Sequence, residues 1–241
     1  MQLGQTEFHD RLEQTLHRHL TLAHPIFPRL LDSARPDVDL LRKVALQGYQ
    51  LTKHFLIYIE HLFFYCPLPK FKRALLTNCY EEETGRLSKT DNHVVLMRNF
   101  IRALGVSDAE REAATPLRAT RELIEYRLEA VKDPASYHIG AAAVMIASEG
   151  QNLETHAGEA RHTLLQRAYG LKEEDLLFFS VHQKEDVGHV NQGLVLVSEL
   201  CTNERMQQEA LDAVDHTCRL FYAMYEDMYV AYCAARAPVA A

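Results

Sequence analysis

The chain has no tryptophan, and only 10 glycines and 8 prolines in 241 residues. So few glycines and prolines exclude collagenous and low-complexity classes, and argue against a many-turned all-β chain. No hydrophobic run is long enough to cross a bilayer, which needs about 20 residues. The longest, 55–66, is interrupted by Glu60 and His61. The first twenty residues lack an uninterrupted apolar segment, so no secretory signal is expected. The five cysteines are scattered and form no CxxC pair, and they read as buried thiols of a reducing cytoplasm. Basic runs are missing too: 26 Lys+Arg against 33 Asp+Glu give a formal charge of −7, which argues against a nucleic-acid partner.

What remains is helical periodicity over most of the length. Phe8, Leu12, Leu16 and Leu20 recur every four residues, and Pro25 and Pro28 are expected to end that helix. Asp37 opens a long segment to about 66, and Pro69 opens the next, to about 83. Further helices are expected over 93–104, 117–131, 134–168, 172–200 and 203–235, with Gly105 as a left-handed C-cap and Ser107 with Glu110 as a capping box. No strand is expected. The fold class is all-α: one bundle of about seven main helices in a single domain, 1–241, with a flexible tail near 236–241.

Three stretches carry chemistry. In the first, His182, Asp186 and His189 stand at i, i+4 and i+7, within about 60° of one another on a helix. They share a stripe among apolar neighbours, where they must be satisfied by hydrogen bonds or a metal. Alone, this spacing fits a polar network equally well. In the second, Glu81, Glu82 and Glu83 precede Gly85, and His93 follows. Three consecutive acids also read as a solvated helix end. In an unbroken helix Glu82 and His93 would lie about 16 Å apart, so a shared site requires the break that Gly85 and the polar run 88–92 supply. In the third, Glu149 follows seven small or apolar residues, which calls for a reason, although it could simply face solvent at the end of a buried stretch. Gly150 and Gly188 are expected to leave room for a ligand or O2.

Together Glu82, His93, Glu149, His182, Asp186 and His189 supply three carboxylates and three imidazoles from separate helices. Mixed sets of this kind in helical bundles hold two iron or manganese ions. No Glu-x-x-His pair occurs at these positions, so the ordinary ferritin-like pattern is excluded.

Asn78, Glu81, Glu82, Glu83 and Gly85, followed by His93, Phe100, Ala103 and Gly105, with Ala147-Ser-Glu149 and the His182/Asp186/His189 motif, resemble the heme-oxygenase-like diiron oxidases, relatives of the TENA and PQQ-synthase-C proteins. The resemblance spans roughly 5–230. It implies a seven-helix heme-oxygenase-like fold without heme, and an O2-activating oxidase or oxygenase with two iron ions. Its substrate would be a small metabolite, an amino acid or amine derivative by family habit, and the reaction oxidative C–C or C–N cleavage or N-oxygenation. It assigns the first carboxylate ligand to Glu82, with Glu83 as alternate and Glu60 as a possible addition. It further implies a homodimer, with an external reductant as a possible partner, while the scattered thiols and missing secretory signal point to a cytoplasmic location. A p-aminobenzoate-forming branch uses a tyrosine and a lysine, at positions matched here by Phe27 and Glu159, so that self-consuming chemistry is not expected. The alternatives are a metal-independent TENA- or PQQ-synthase-C-like enzyme and a non-enzymatic helical metal-binding or interaction protein. Expected pocket residues are His138, Ala141, Ala142 and Met145, on or near the Glu149 stripe, and Tyr49, Lys53 and His54 on the second helix.

Overall fold

The computed structural model describes residues 2–156 and 158–233. The expected tail at 236–241 and the end of the last helix near 235 lie outside them. The α-helices are α1 (Gln5–Leu16), α2 (Ile26–Leu30), α3 (Val38–Tyr65), α4 (Pro69–Thr84), α5 (His93–Ala103), α6 (Asp108–Ala113), α7 (Arg118–Lys132), α8 (Tyr137–Ala141), α9 (Arg161–Tyr169), α10 (Leu177–Leu200) and α11 (Glu204–Tyr232). Caps set the boundaries. Asp37 accepts from the Leu40 N–H, Asn92 from Val94 and Val95, and Asn203 from Met206, while Ser107 and Glu110 form the expected capping box. Among the described residues, no helix is long and apolar enough to cross a membrane.

Three expectations fail. The first helix stops at Leu16 rather than Leu20. The buried Glu154 carboxylate accepts from the Thr21 and Leu22 N–H groups and from the Thr21 hydroxyl, at 2.7–2.9 Å, which holds Thr21–Ala23 as a separate 3-10 turn. Pro28 does not end a helix either; it sits in the first turn of α2, where its missing N–H costs nothing. The span 134–168 is not one helix. After α8 comes a π-helical segment, Ala142–Ser148, then a 3-10 turn, Gln151–Leu153. A two-stranded antiparallel hairpin follows, Thr155–His156 against Glu159–Ala160, contrary to the expectation of no strands, and α9 resumes the helix.

Two apolar clusters form the core. One joins α1, the C-terminal end of α3, the π segment and the second half of α10. The other joins α2, the first half of α3, α5 and the second half of α11. The π segment runs between α10 and α11. At its crossing with α10, a Cβ on Gly193 would lie 2.7 Å from the Met145 Cβ and 2.9 Å from its carbonyl oxygen, so only glycine permits this approach. Gly150 serves packing instead of a ligand: its Cα faces the Leu16 side chain, where a Cβ would come within 2.7 Å. Gly188 is exposed and faces open space, so it lines no ligand room.

Candidate metal centre

Gly85 ends α4 with φ +61°, and a Cβ there would collide with the Asp91 carbonyl at 2.2 Å. The chain therefore turns back at once and delivers His93, the first residue of α5, to the face of α4. Glu81 holds this loop. It accepts from the Leu87 N–H at 2.7 Å, the Ser88 N–H at 3.1 Å and the Ser88 hydroxyl. Burial alone would raise its pKa, but these donors outweigh it and hold the carboxyl below its ordinary range.

The turn brings Glu82 and His93 together, with Nδ1 of His93 3.1 Å from Oε1 of Glu82. From α10, Nε2 of His182 stands 3.8 Å from the same oxygen, and the two imidazole centroids are 4.6 Å apart. The second group is Glu149, Asp186 and His189: Nδ1 of His189 is 3.5 Å from Oε1 of Glu149 and 3.4 Å from Oδ1 of Asp186. Within each trio, one donor atom per residue lies within 4.8 Å of the others, a spacing that a cation can bridge. All six are buried except His189, whose side chain is 17% exposed. Three of them, His182, Asp186 and His189, ride on the one stripe of α10, so both trios are tied to a single helix.

Second contacts orient the donors. Nδ1–H of His182 donates to the Phe178 carbonyl at 2.6 Å, which leaves Nε2 free to ligate. Asn78, one turn before Glu82, donates to Oε1 of Glu149 at 3.2 Å, and Asn152 donates to Oδ2 of Asp186 at 2.8 Å. Both ring nitrogens of His93 and Nδ1 of His189 are buried with no well-aligned hydrogen bond.

The electrostatics fit the same picture. Burial would lower the pKa of His93, but Glu82, Glu185 and Glu81 together push it up to about 9. Burial likewise opposes the charge on His189, and Glu149 and Asp186 overcome it, to about 11. Two adjacent buried carboxylates cannot both stay charged. Burial, then the charge of Glu149, drive Asp186 well up, while His189 overcomes the burial of Glu149 and holds it low. His182 is pulled down by burial and by the His93 cation, so it stays neutral, as a ligand must. Without cations the site is a set of opposed charges and orphaned nitrogens. Three carboxylates and three imidazoles match two divalent first-row ions in charge and ligand type.

The structure leaves other expected residues apart from these trios. Glu83 is exposed and accepts from Asn92, and Glu60 is exposed on α3. A third grouping, unforeseen from sequence, sets Glu81 and Glu185 3.7 and 4.0 Å from Nε2 of His93. Glu185 lies three residues after His182, and that spacing was the available signal.

Glu82, Glu149 and His182 also line a cavity of about 160 Å³. Its other walls are mainly apolar, with Phe27, Leu41, Met97, Phe100, Phe179 and Met224 among them, and Arg127, Gln151 and Arg161 adding polar groups. None of the pocket residues expected from sequence faces it. His138 bonds Glu209 at 2.8 Å, Ala141 and Ala142 are core residues, and Met145 packs on Gly193. The expectation assumed 3.6 residues per turn between His138 and Glu149, and the π segment breaks that phase. Tyr49 accepts from Arg98 at 3.2 Å, Lys53 lies over the Tyr49 ring, and His54 contacts the Gln50 carbonyl, all away from the cavity. Phe27 does line it, whereas Glu159 pairs with Arg167 in the hairpin region.

A sequence profile described as that of iron-containing redox enzymes matches residues 42–222. A 4-aminobenzoate synthase of Nitrosomonas europaea is 29% identical over 165 residues, 68% of this chain. The chain spans 63% of that relative's length. One from Chlamydia muridarum is 24% identical, covering 82% of this chain and 80% of its own. Among solved structures, a TenA homologue from Pseudomonas syringae superposes with a TM-score of 0.72 at 16% identity, over 93% of this chain and 92% of that one. A domain with a heme oxygenase-like fold from Shewanella denitrificans gives 0.71 at 16% identity, over 96% and 94%.

Proposed function

Because this chain belongs to the iron-containing redox enzymes and has their heme oxygenase-like fold, we propose that it is a diiron oxidase or oxygenase that uses O2 to oxidise a small metabolite. The observation that carries the reading is the pair of trios, Glu82/His93/His182 and Glu149/Asp186/His189, with Glu82, His182 and Glu149 lining one cavity. One ion would be held by each trio. Bound there, two ferrous ions would supply the electrons that O2, slow to react with closed-shell molecules, requires.

The chain's own residues do the rest. Asn78 and Asn152 hold Glu149 and Asp186 in place, and the Phe178 carbonyl fixes the His182 ring. The apolar walls exclude water and seat the substrate beside Glu82, Glu149 and His182. An amino acid or amine derivative is the favoured substrate, with oxidative cleavage or N-oxygenation as the reaction. Relatives are named for making 4-aminobenzoate. In this chain phenylalanine stands at position 27, where the resemblance puts that branch's tyrosine, so the substrate is read as an external molecule. A metal-independent enzyme is disfavoured, because it would leave both ring nitrogens of His93 without partners.

Iron analysis after anaerobic ferrous reconstitution tests this. About two irons per chain are expected, with ferrous-to-ferric oxidation on exposure to O2, and His182→Ala should lose at least one of them. A chain that takes up no iron overturns the reading.

A further inference from the structure

Arg127 is the largest of the fully buried side chains, and no carboxylate lies in ion-pair contact with it among the described residues. A buried guanidinium normally carries a counter-ion, because leaving a charge unpaired away from water is expensive. Here the partners are weak. Nε donates to the Leu123 carbonyl at 3.2 Å, and Nη1 reaches the Ser148 hydroxyl at 3.5 Å, the limit of a hydrogen bond. The Tyr58 and Phe221 rings lie 4.8 and 5.5 Å from Cζ. Nη2 makes no hydrogen bond, and among the described residues the Tyr58 phenol is the one other polar side chain acting on the group. Burial pulls the pKa of the group down, with only the Tyr58 phenol to oppose it. Yet an arginine stays charged at neutral pH.

This side chain lines the cavity, next to Ser148 and so one residue from Glu149. We infer that Arg127 is the anchor for a carboxylate of the ligand, and that the cavity takes a small monocarboxylate with an apolar body. The fork geometry of guanidinium matches a carboxylate, which would supply the missing acceptor for Nη2. Once the anion is held there, the body of the ligand falls against apolar walls such as Phe27, Leu41, Met97 and Phe179. A dry apolar cavity of ~150 Å³ admits benzene, so a cavity of about 160 Å³ suits a single ring or a short chain.

The inference rests on the oxidase reading for its catalytic meaning, but its test does not depend on iron. Binding of benzoate and of its neutral isostere benzamide to the metal-free chain is measured by calorimetry or ligand-observed NMR. Benzoate should bind at least tenfold more tightly than benzamide. Arg127→Met should remove that preference and leave benzamide binding unchanged, and Arg127→Lys should restore part of it. The wild-type preference needs no variant, so misfolding of Arg127→Met would not blunt the test. Equal binding of the two probes, no benzoate binding at millimolar concentration, or a benzoate preference that survives in folded Arg127→Met overturns the inference. A chain that takes up no iron but prefers benzoate through Arg127 would sink the oxidase reading and leave the anion anchor standing.

Discussion

At the scale of single residues, burial decides which groups can react. His182 is kept neutral by burial and pinned by one backbone carbonyl, so its free nitrogen is ready for a cation. The cysteines show the opposite use of burial. Burial and then Glu209 push the Cys201 thiol up to about 12, and burial followed by Glu154 and Asp215 does the same to Cys218. Cys79, only half-buried, is pushed up to about 11 by burial and Glu60. Only the thiolate reacts, so at pH 8 about one Cys201 or Cys218 in 10⁴ is competent. Iodoacetamide should therefore label Cys79 first, at a rate rising about tenfold per pH unit between pH 8 and 10. Cys201 and Cys218 should label only after unfolding. Peptide mass spectrometry would show it, and rapid labelling of native Cys201 at pH 8 would contradict the burial argument.

At the scale of elements, two glycines on α10 make opposite predictions. Gly193→Ala puts a methyl 2.7 Å from the Met145 Cβ and 2.9 Å from a backbone oxygen that cannot easily yield. A loss of about 2 kcal/mol is expected in urea unfolding. Gly188→Ala meets nothing within 4 Å, and should gain about 0.5–1 kcal/mol from helix propensity. Equal effects would show that the α10 crossing is looser than described. The same elements show what sequence conveys. Helix caps at Asp37 and Ser107, the break at Gly85 and the stripe His182/Asp186/His189 are legible because each depends on local spacing. The early end of α1 is not, because Glu154, more than 130 positions away, takes the N–H groups of Thr21 and Leu22 just beyond it. The cavity wall is also illegible. The π segment voids any count of turns between His138 and Glu149.

At the scale of the molecule, six candidate metal donors, five of them buried, stand among otherwise apolar packing. Cations that neutralise those donors bind the folded chain and not the unfolded one, so they stabilise it by mass action. At metal concentrations ~100 times Kd that contribution is about 2.7 kcal/mol for each ion bound. For a chain of this size it corresponds to about 5–10 °C in melting temperature. Calorimetry before and after anaerobic chelation should show a fall of that order, reversed by ferrous salt. Identical melting of loaded and chelated protein would mean that the donors satisfy one another without an ion.

The π segment sets a constraint on how this lineage can change. Each residue added to or removed from a helix turns everything beyond it by about 100°. A one-residue deletion within Ala142–Ser148 would thus shift the carboxylate of Glu149 relative to Asp186 and His189 on α10. Substitutions there can be gradual, but length cannot: the gap between α8 and Glu149 is a ruler with a single usable mark.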